Sequence, residues 1–271
     1  MIGAVAGVSA LAAVGASCRW NWWRPTVPNG LPILTYHKVG DYPKGSRLKP
    51  LWVTEEQFRA QMRYLKDQGF TTLTFTELRD IDDGKAKMPA KPVLVTFDDG
   101  YANNYELAYP ILKELGQKGN IFLVYDTLEG HNAWHNPATE PWIPMMSWTQ
   151  AREIQDSGVI ELGSHTMSHK NLAQIPIEEA RWQMTESKKR LEDKLGREMV
   201  GFAYPYGSGA YVPEVRKAAR EAGYRYDFAF RRGLTPWPWK PEDGPIKRIY
   251  VRGDDYMLDF RLNLTRGRAR F

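Results

Sequence analysis

Residues Val93–Gly100 read VLVTFDDG, an apolar run that ends in two adjacent carboxylates and a glycine. A short continuous apolar run bounded by turn-forming residues is typical of a strand that is buried on both faces. A second apolar run ends in SHTMSH at residues 164–169, where two histidines stand four positions apart. The two segments predict strands that carry Asp98, Asp99 and a histidine pair to their C-terminal ends.

Two imidazoles and one carboxylate are a suitable ligand set for a divalent Zn, Ni, Co or Fe ion. Three protein ligands leave coordination positions open, which is typical of catalysis, and hydrolysis of an amide or ester is the natural use. Because Gly100 lets the backbone turn, both aspartates can reach one pocket, and the aspartate that binds no metal can act as a general base. Each motif alone is more typical of a polar turn, but the two together favour a site.

The chain has 271 residues, enough for one large α/β domain or two small ones. Its single cysteine, Cys18, excludes an intramolecular disulfide framework. The formal net charge of +5 and the pI near 9.1 favour anionic surroundings such as anionic lipid or cell-wall polymer. We expect no nucleic-acid partner, because the basic residues form no stripe interleaved with aromatic residues. Four of them cluster at the C-terminus: Arg261, Arg266, Arg268 and Arg270.

The first 17 residues, MIGAVAGVSALAAVGAS, are small, apolar and uncharged, and WNWWR follows almost at once. This composition predicts an export or membrane-anchoring segment with its linker over residues 1–28, ahead of one domain over residues 29–271. Tryptophan and arginine side chains in WNWWR suit a membrane interface. We therefore expect the protein at a membrane surface, at the cell surface or outside the cell. The alternative is an N-terminal tail without fixed structure.

Beyond Pro28, short apolar runs alternate with amphipathic helical patterns. For example, Thr54 and Gln57 form a predicted capping box at the start of a helix that ends at Gly69. Such alternation predicts parallel strands joined by helices, in a doubly wound sheet or a barrel, and about seven repeats favour the barrel. The chemical motifs all stand at predicted strand C-termini, the catalytic face of a barrel. The residues at these ends are His37, Asp98, Asp99, His165 and Tyr206.

The segments TFDDG, HTMSH and FAYPYG resemble the three motifs of the polysaccharide deacetylases, carbohydrate esterase family four. The resemblance covers most of the chain and implies an α/β fold, a distorted (β/α)7 barrel that forms a single catalytic domain. It implies that Asp98 is the general base. It also implies that Asp99, His165 and His169 bind one divalent metal ion, and that the backbone N–H of Tyr206 helps to hold the oxyanion.

The chain departs from the family pattern at two points. Ala203 stands in FAYPYG where the family carries an arginine that supports the base, which leaves Arg232 and Arg248 as candidates for that role. No histidine follows His169 to serve as the late general acid. The LTYH segment that ends in His37 resembles the opening of biofilm poly-N-acetylglucosamine deacetylases, whose motifs are circularly permuted. His37 is therefore predicted to be the general acid.

Aromatic and histidine residues outside the motifs carry less information. His131 and His135 lie in a predicted loop over residues 126–147 and are expected at the surface. One or two tryptophans are expected to stack on sugar rings, while the others pack in the barrel or its loops. The tryptophans considered are Trp134, Trp142, Trp148, Trp237 and Trp239, and Trp148 is included among the candidate site residues.

The resemblance implies hydrolysis of N-acetyl groups on a β-1,6-linked N-acetylglucosamine polymer. Asp98 would take a proton from the attacking water, and His37 would protonate the leaving amine. The products would be acetate and glucosamine units. Two alternatives remain open: a chitin-oligosaccharide or peptidoglycan deacetylase, and a glycan-binding module that keeps the fold without catalysis.

Overall fold

The computed structural model describes Trp23 and residues 25–270 of the chain. The predicted export segment therefore falls almost entirely outside the described residues. Within the part that is described, no helix is long and apolar enough to cross a membrane. Seven α-helices are present there: α1 Glu55–Asp67, α2 Phe75–Asp82, α3 Tyr109–Leu115, α4 Trp148–Asp156, α5 Ile177–Leu195, α6 Pro213–Glu221 and α7 Met257–Arg266.

Strands alternate with these helices along the chain. They are β1 Gly30–Leu31, β2 Ile33–Tyr36, β3 Lys38–Val39, β4 Trp52–Val53, β5 Thr71–Thr72, β6 Pro92–Phe97, β7 Gly119–Leu123, β8 Ile160–Ser164, β9 Gly201–Ala203, β10 Tyr226–Arg232, β11 Thr235–Pro236 and β12 Ile246–Tyr250.

Seven parallel strands close into a barrel in the order β2, β6, β7, β8, β9, β10, β12 and back to β2. The closing contact pairs Tyr36 of β2 with Phe97 of β6. The eighth strand of this sheet, β5, pairs only with β6 and is not part of the closed barrel. The predicted (β/α)7 barrel in a single α/β domain is confirmed.

Strand β6 shows how the apolar run is used. Val93, Val95 and Phe97 pack in the larger cluster between the strands and the helices, whereas Leu94 packs in a second cluster inside the barrel. Successive side chains of a strand point to opposite faces. Since Phe97 faces outward, the residue after it, Asp98, faces inward. The sequence pattern thus aims the first carboxylate along the barrel interior.

Local sequence signals account for most of the helix boundaries. The predicted capping box of α1 is present: the Gln57 amide N–H donates to the Thr54 hydroxyl at 3.2 Å, and the Thr54 N–H donates to the Gln57 side chain at 3.0 Å. The helix that follows β6 is irregular at its start. It begins as a π-helical turn, Asn104–Ala108, and continues as α3, because Pro110 has no N–H to bond the carbonyl four residues earlier.

One of the four C-terminal arginines, Arg270, forms ion pairs within the fold. Helix α7, which the sequence pattern did not predict, brings Asp259 beside Arg270 at 2.9 Å. Arg270 also pairs with Asp254 and Asp255 at 3.2 and 3.1 Å. The charge of Arg270 is therefore balanced within the fold.

Candidate active site

The two adjacent aspartates enter one pocket because the backbone turns at the second of them. Asp98 continues the barrel strand, and its N–H donates to the Tyr36 carbonyl at 2.9 Å. Asp99 and Gly100 both lie in the left-handed region, with φ of 77° and 85°. A side chain at position 100 would meet Leu123 at 2.8 Å, so this position requires glycine on two grounds. The turn swings Asp99 away from Asp98 while both stay buried.

Arg248 of β12 forms a bidentate ion pair with Asp98. Its Nη1 lies 2.6 Å from Oδ1 of Asp98, and its Nη2 lies 2.9 Å from Oδ2. The guanidinium is fully buried, and its Nε donates to the Ala229 carbonyl at 3.2 Å. Burial alone would raise the pKa of Asp98, but the Arg248 charge overrides this and keeps that pKa below its usual range. Asp98 is therefore an ionised carboxylate.

Of the two arginines considered from sequence, only Arg248 lies at this carboxylate. Arg232 is exposed, with its guanidinium 5.7 Å from the centre of the Tyr250 ring. Ala203 serves the site differently: its carbonyl accepts a hydrogen bond from Nδ1 of His165 at 2.7 Å. Where the family pattern has an arginine at the position of Ala203 in β9, this chain supplies the guanidinium from Arg248 in β12. Strand β10 lies between these two strands.

Asp99, His165 and His169 form a group of donors that fits a metal ion. One donor atom from each lies within 4.8 Å of the others, and all three residues are buried. Oδ1 of Asp99 is 3.4 Å from Nε2 of His165 and 3.2 Å from Nε2 of His169, and has no hydrogen-bond partner among the described residues. A buried carboxylate oxygen left without a donor between two imidazole nitrogens is what a divalent cation would satisfy.

Contacts behind the two histidines fix their orientation. The Ala203 carbonyl accepts a hydrogen bond from the Nδ1–H group of His165, so Nε2 is unprotonated and presents its lone pair toward Asp99. Nδ1 of His169 lies 3.1 Å from the Tyr206 hydroxyl. The His169 ring also stacks on Trp134, with ring centres 4.2 Å apart. Both Nε2 atoms are therefore presented to the same point.

Backbone strain is concentrated around these donors. Asp99, Thr166, His169 and Tyr206 are non-glycine residues with positive φ, at 77°, 74°, 58° and 58°. Such conformations cost about 1–3 kcal/mol each and persist where the surrounding fold enforces them. Their clustering at one end of the barrel supports a functional role for this end.

His37 reaches the same pocket from the end of β2. Its Nε2 lies 3.9 Å from Oδ2 of Asp98, and its ring packs edge-on against Phe230 at 5.7 Å and Tyr250 at 6.0 Å. Burial lowers the pKa of His37 to about 4, although the charges of Asp98 and Asp99 act in the opposite direction. The imidazole is therefore neutral at neutral pH.

Two loops roof the pocket, which has a cavity of about 220 Å³. Leu48 and Leu51 come from one loop, and Trp134 and His135 from the other. The buried carboxylate of Glu140 joins the loops: it accepts hydrogen bonds from the Ser46 hydroxyl at 2.7 Å and from the backbone N–H groups of residues 47 and 48 at 2.8 and 3.3 Å. The expectation that His135 is a surface residue was wrong.

The other candidate tryptophans lie elsewhere. Trp148 begins α4 and packs on Tyr125, with ring centres 5.3 Å apart, and does not line this pocket. Trp237 lines a larger cavity of about 680 Å³ that opens at the opposite end of the barrel, near Leu31 and Pro92. Trp142 is 51% exposed and stacks on His131. The site chemistry is confined to the smaller cavity.

Comparison with known sequences agrees with this geometry. A sequence profile described as polysaccharide deacetylase matches residues 85–226, just over half of the chain. The chain belongs to the polysaccharide deacetylase family. The matched segment contains both aspartates, both histidines of the candidate metal site and Tyr206. His37 and Arg248 of this polysaccharide deacetylase lie on either side of it.

Individual relatives extend the match. YxkH, a candidate polysaccharide deacetylase of Bacillus subtilis strain 168, is 34% identical over 204 residues, which cover 75% of this chain and 66% of YxkH. The poly-β-1,6-N-acetyl-D-glucosamine N-deacetylase of Staphylococcus aureus strain MRSA252 is 26% identical, over 84% of this chain and 81% of the relative. The crystal structure of a polysaccharide deacetylase from Bacillus cereus superposes with a TM-score of 0.73 at 27% identity, covering 87% of this chain and 69% of that one.

Replacing Arg248 by methionine should destabilise the protein by about 3–5 kcal/mol, because Asp98 would be left as a buried charge without its partner. The double variant Arg248→Met/Asp98→Asn should recover part of this loss, because it removes that charge. Urea denaturation of the wild type, of the single variants Arg248→Met and Asp98→Asn, and of the double variant measures the four free energies of unfolding. A double variant as unstable as Arg248→Met alone would contradict the ion pair as described.

Acidification should destabilise the metal-free protein through His37. The folded-state pKa of about 4 lies below the usual 6.5, so between these pH values the unfolded chain binds the extra proton and stability falls as pH falls. His37→Gln should lose about 2 kcal/mol less than the wild type between pH 7 and pH 5. Urea denaturation with chelator present measures this difference. Equal losses in both proteins would contradict the buried, neutral His37.

Proposed function

We propose that this polysaccharide deacetylase removes N-acetyl groups from poly-β-1,6-N-acetylglucosamine, releasing acetate. The observation that carries the proposal is the arrival of His37 from the first barrel strand, 3.9 Å from Asp98. His37 can act as the general acid beside the proposed base Asp98. No histidine follows His169 in the sequence that could take this role. The similarity to the Staphylococcus aureus enzyme, whose name specifies this polymer, supports the choice of substrate.

The size and lining of the pocket favour an acetamido group over a whole sugar. A cavity of about 220 Å³ is smaller than the roughly 300–1,000 Å³ of pockets that enclose a drug-sized ligand. Its walls are largely apolar at Leu48, Leu51 and Phe230, which suits an acetyl methyl group. We infer that the polymer lies across the mouth and inserts one N-acetyl group at a time.

Asp99, His165 and His169 would hold a divalent ion, which when bound would act as a Lewis acid toward the amide carbonyl and lower the pKa of nearby water. Asp98 then accepts the proton of the attacking water. The backbone N–H of Tyr206, at the rim of the pocket, is the proposed donor to the developing oxyanion. The amide C–N bond breaks to give acetate and a free amine.

His37 has to acquire the proton that it delivers to the leaving amine, because its imidazole is neutral in the resting protein. Asp98 has just accepted a proton and lies 3.9 Å away, so a small approach of the two side chains brings them within hydrogen-bond distance. Arg248 keeps the pKa of Asp98 low, which favours passing that proton on. The pair thus moves one proton from water to amine.

Asp98→Asn and His37→Ala should each reduce acetate release by about 10²–10⁴-fold, because each removes one proton-transfer group. Zn²⁺ binding should remain in both variants, because neither residue belongs to the proposed ligand set. Trp148→Phe is the matched control, since its ring lies outside the pocket. Acetate is measured enzymatically after incubation with the purified polymer. Near-normal turnover in either active-site variant would reject its role.

The substrate is tested by acetate release on three materials side by side: poly-β-1,6-N-acetylglucosamine, chitin oligosaccharides and peptidoglycan. We expect the highest kcat/KM on the first. Faster release from either of the other two would replace the proposed substrate while leaving the deacetylase chemistry intact. Binding of the polymers without acetate release from any of them would favour the non-catalytic module.

We also propose that residues 1–24 attach the protein to a membrane and that it acts at or outside the cell surface. The support is the uncharged apolar composition of the first 17 residues and the tryptophans that follow. The full chain should pellet with membranes, and a chain that starts at Pro25 should stay in the supernatant after ultracentrifugation. Equal pelleting of the two would argue against an anchor.

A further inference from the structure

The proposed substrate leaves its sugar rings outside the pocket, since the cavity of about 220 Å³ suits an acetamido group and not a whole sugar. Those rings lie against the surface around the mouth. An exposed indole suits them, because its broad apolar face packs against the C–H groups of a sugar ring. Trp142 is such a residue: it is 51% exposed and belongs to the roof loop that carries Trp134 and His135.

Two contacts hold the Trp142 ring in one orientation. Its Nε1 donates a hydrogen bond to the His135 carbonyl at 3.2 Å. Its ring stacks on His131, with ring centres 3.8 Å apart and planes 27° apart. Because the imidazole covers one face of the indole, the exposed surface includes the opposite face.

The backbone on both sides of Trp142 is also fixed. Glu140, two positions earlier, is buried and accepts a hydrogen bond from the Ser46 hydroxyl of the facing loop at 2.7 Å. Ile143, the next residue, is buried, and its N–H donates to the side-chain oxygen of Asn132 at 2.6 Å. A side chain held in this way loses little conformational entropy when a ligand packs against it. Trp142 is therefore preorganised for binding.

Trp142 stands next to the wall of the pocket. The carbonyl that it contacts belongs to His135, which lines the cavity. Trp134, the residue before His135, also lines the cavity and stacks on His169 of the candidate metal site, with ring centres 4.2 Å apart. A row of contacts thus connects the exposed indole with the candidate metal site. Because Trp142 does not itself line the cavity, its place suits a sugar unit beside the one whose acetamido group enters.

We propose that Trp142 forms a sugar-binding subsite at the mouth of the pocket: its free indole face stacks on an N-acetylglucosamine unit next to the unit that is being deacetylated. The inference deepens the polymer deacetylation proposed above and rests on it. His131 contributes by supporting the indole from behind. The subsite binds the chain and not the reacting group, so its effect falls on KM and not on kcat.

Trp142→Ala removes the stacking face. With the Zn²⁺-loaded protein and the β-1,6-linked N-acetylglucosamine pentasaccharide, we expect KM for acetate release to rise about tenfold while kcat stays within about twofold of the wild type. Trp142→Phe keeps an aromatic face and loses only the hydrogen bond to the His135 carbonyl, so its KM should stay close to that of the wild type. Trp182→Ala is the matched control, because Trp182 is 47% exposed and lies on α5. Its KM should equal that of the wild type.

A KM in Trp142→Ala equal to that in Trp182→Ala would overturn the proposal. So would a KM in Trp142→Phe as high as in Trp142→Ala, because the indole hydrogen bond that positions the roof loop would then account for the effect. Failure of the proposed function has a different signature: the wild type would release no acetate from the pentasaccharide. Isothermal titration calorimetry then tests the subsite alone. Weaker binding of the pentasaccharide by Trp142→Ala than by the wild type would still support the subsite, and equal or absent binding would overturn it.

Discussion

The buried ion pair between Arg248 and Asp98 is the contact on which the rest of the site depends. Two adjacent carboxylates in one buried pocket would repel each other, and one would take up a proton. The guanidinium donates to both oxygens of Asp98 at 2.6 and 2.9 Å, which keeps this carboxylate ionised. Asp99 is then the carboxylate that meets His165 and His169. One contact thus gives two identical side chains different proposed roles, Asp98 as the base and Asp99 as a metal ligand.

The barrel makes this division possible by bringing distant segments to one end. Strands β2, β6 and β8 deliver His37, the aspartate pair and His165 at their C-terminal ends, while β9 contributes a backbone carbonyl. Arg248 stands lower, in β12, and its long side chain passes through the interior to reach Asp98. The left-handed conformations at Asp99 and His169 add strain that the close-packed strands around them offset.

The catalytic motifs could be predicted from sequence because each is compact and follows a recognisable apolar run. Arg248 could be named only as one of two candidates. Its contact with Asp98 joins residues 150 positions apart and depends on the strand order of the barrel. The roof could not be predicted. His135 and Trp134 reach the pocket because the distant carboxylate of Glu140 binds the opposite loop, and no local pattern in residues 126–147 indicates that contact. The family resemblance supplied residue roles that spacing alone left open.

Metal content of the paired variants Asp98→Asn and Asp99→Asn tests most directly whether the two carboxylates are divided in this way. Both variants make the same chemical change at neighbouring positions, and metal retained after purification is measured by inductively coupled plasma mass spectrometry. Asp98→Asn is predicted to keep a stoichiometric divalent ion, and Asp99→Asn to lose it. Loss of the ion from Asp98→Asn with retention in Asp99→Asn would contradict the account.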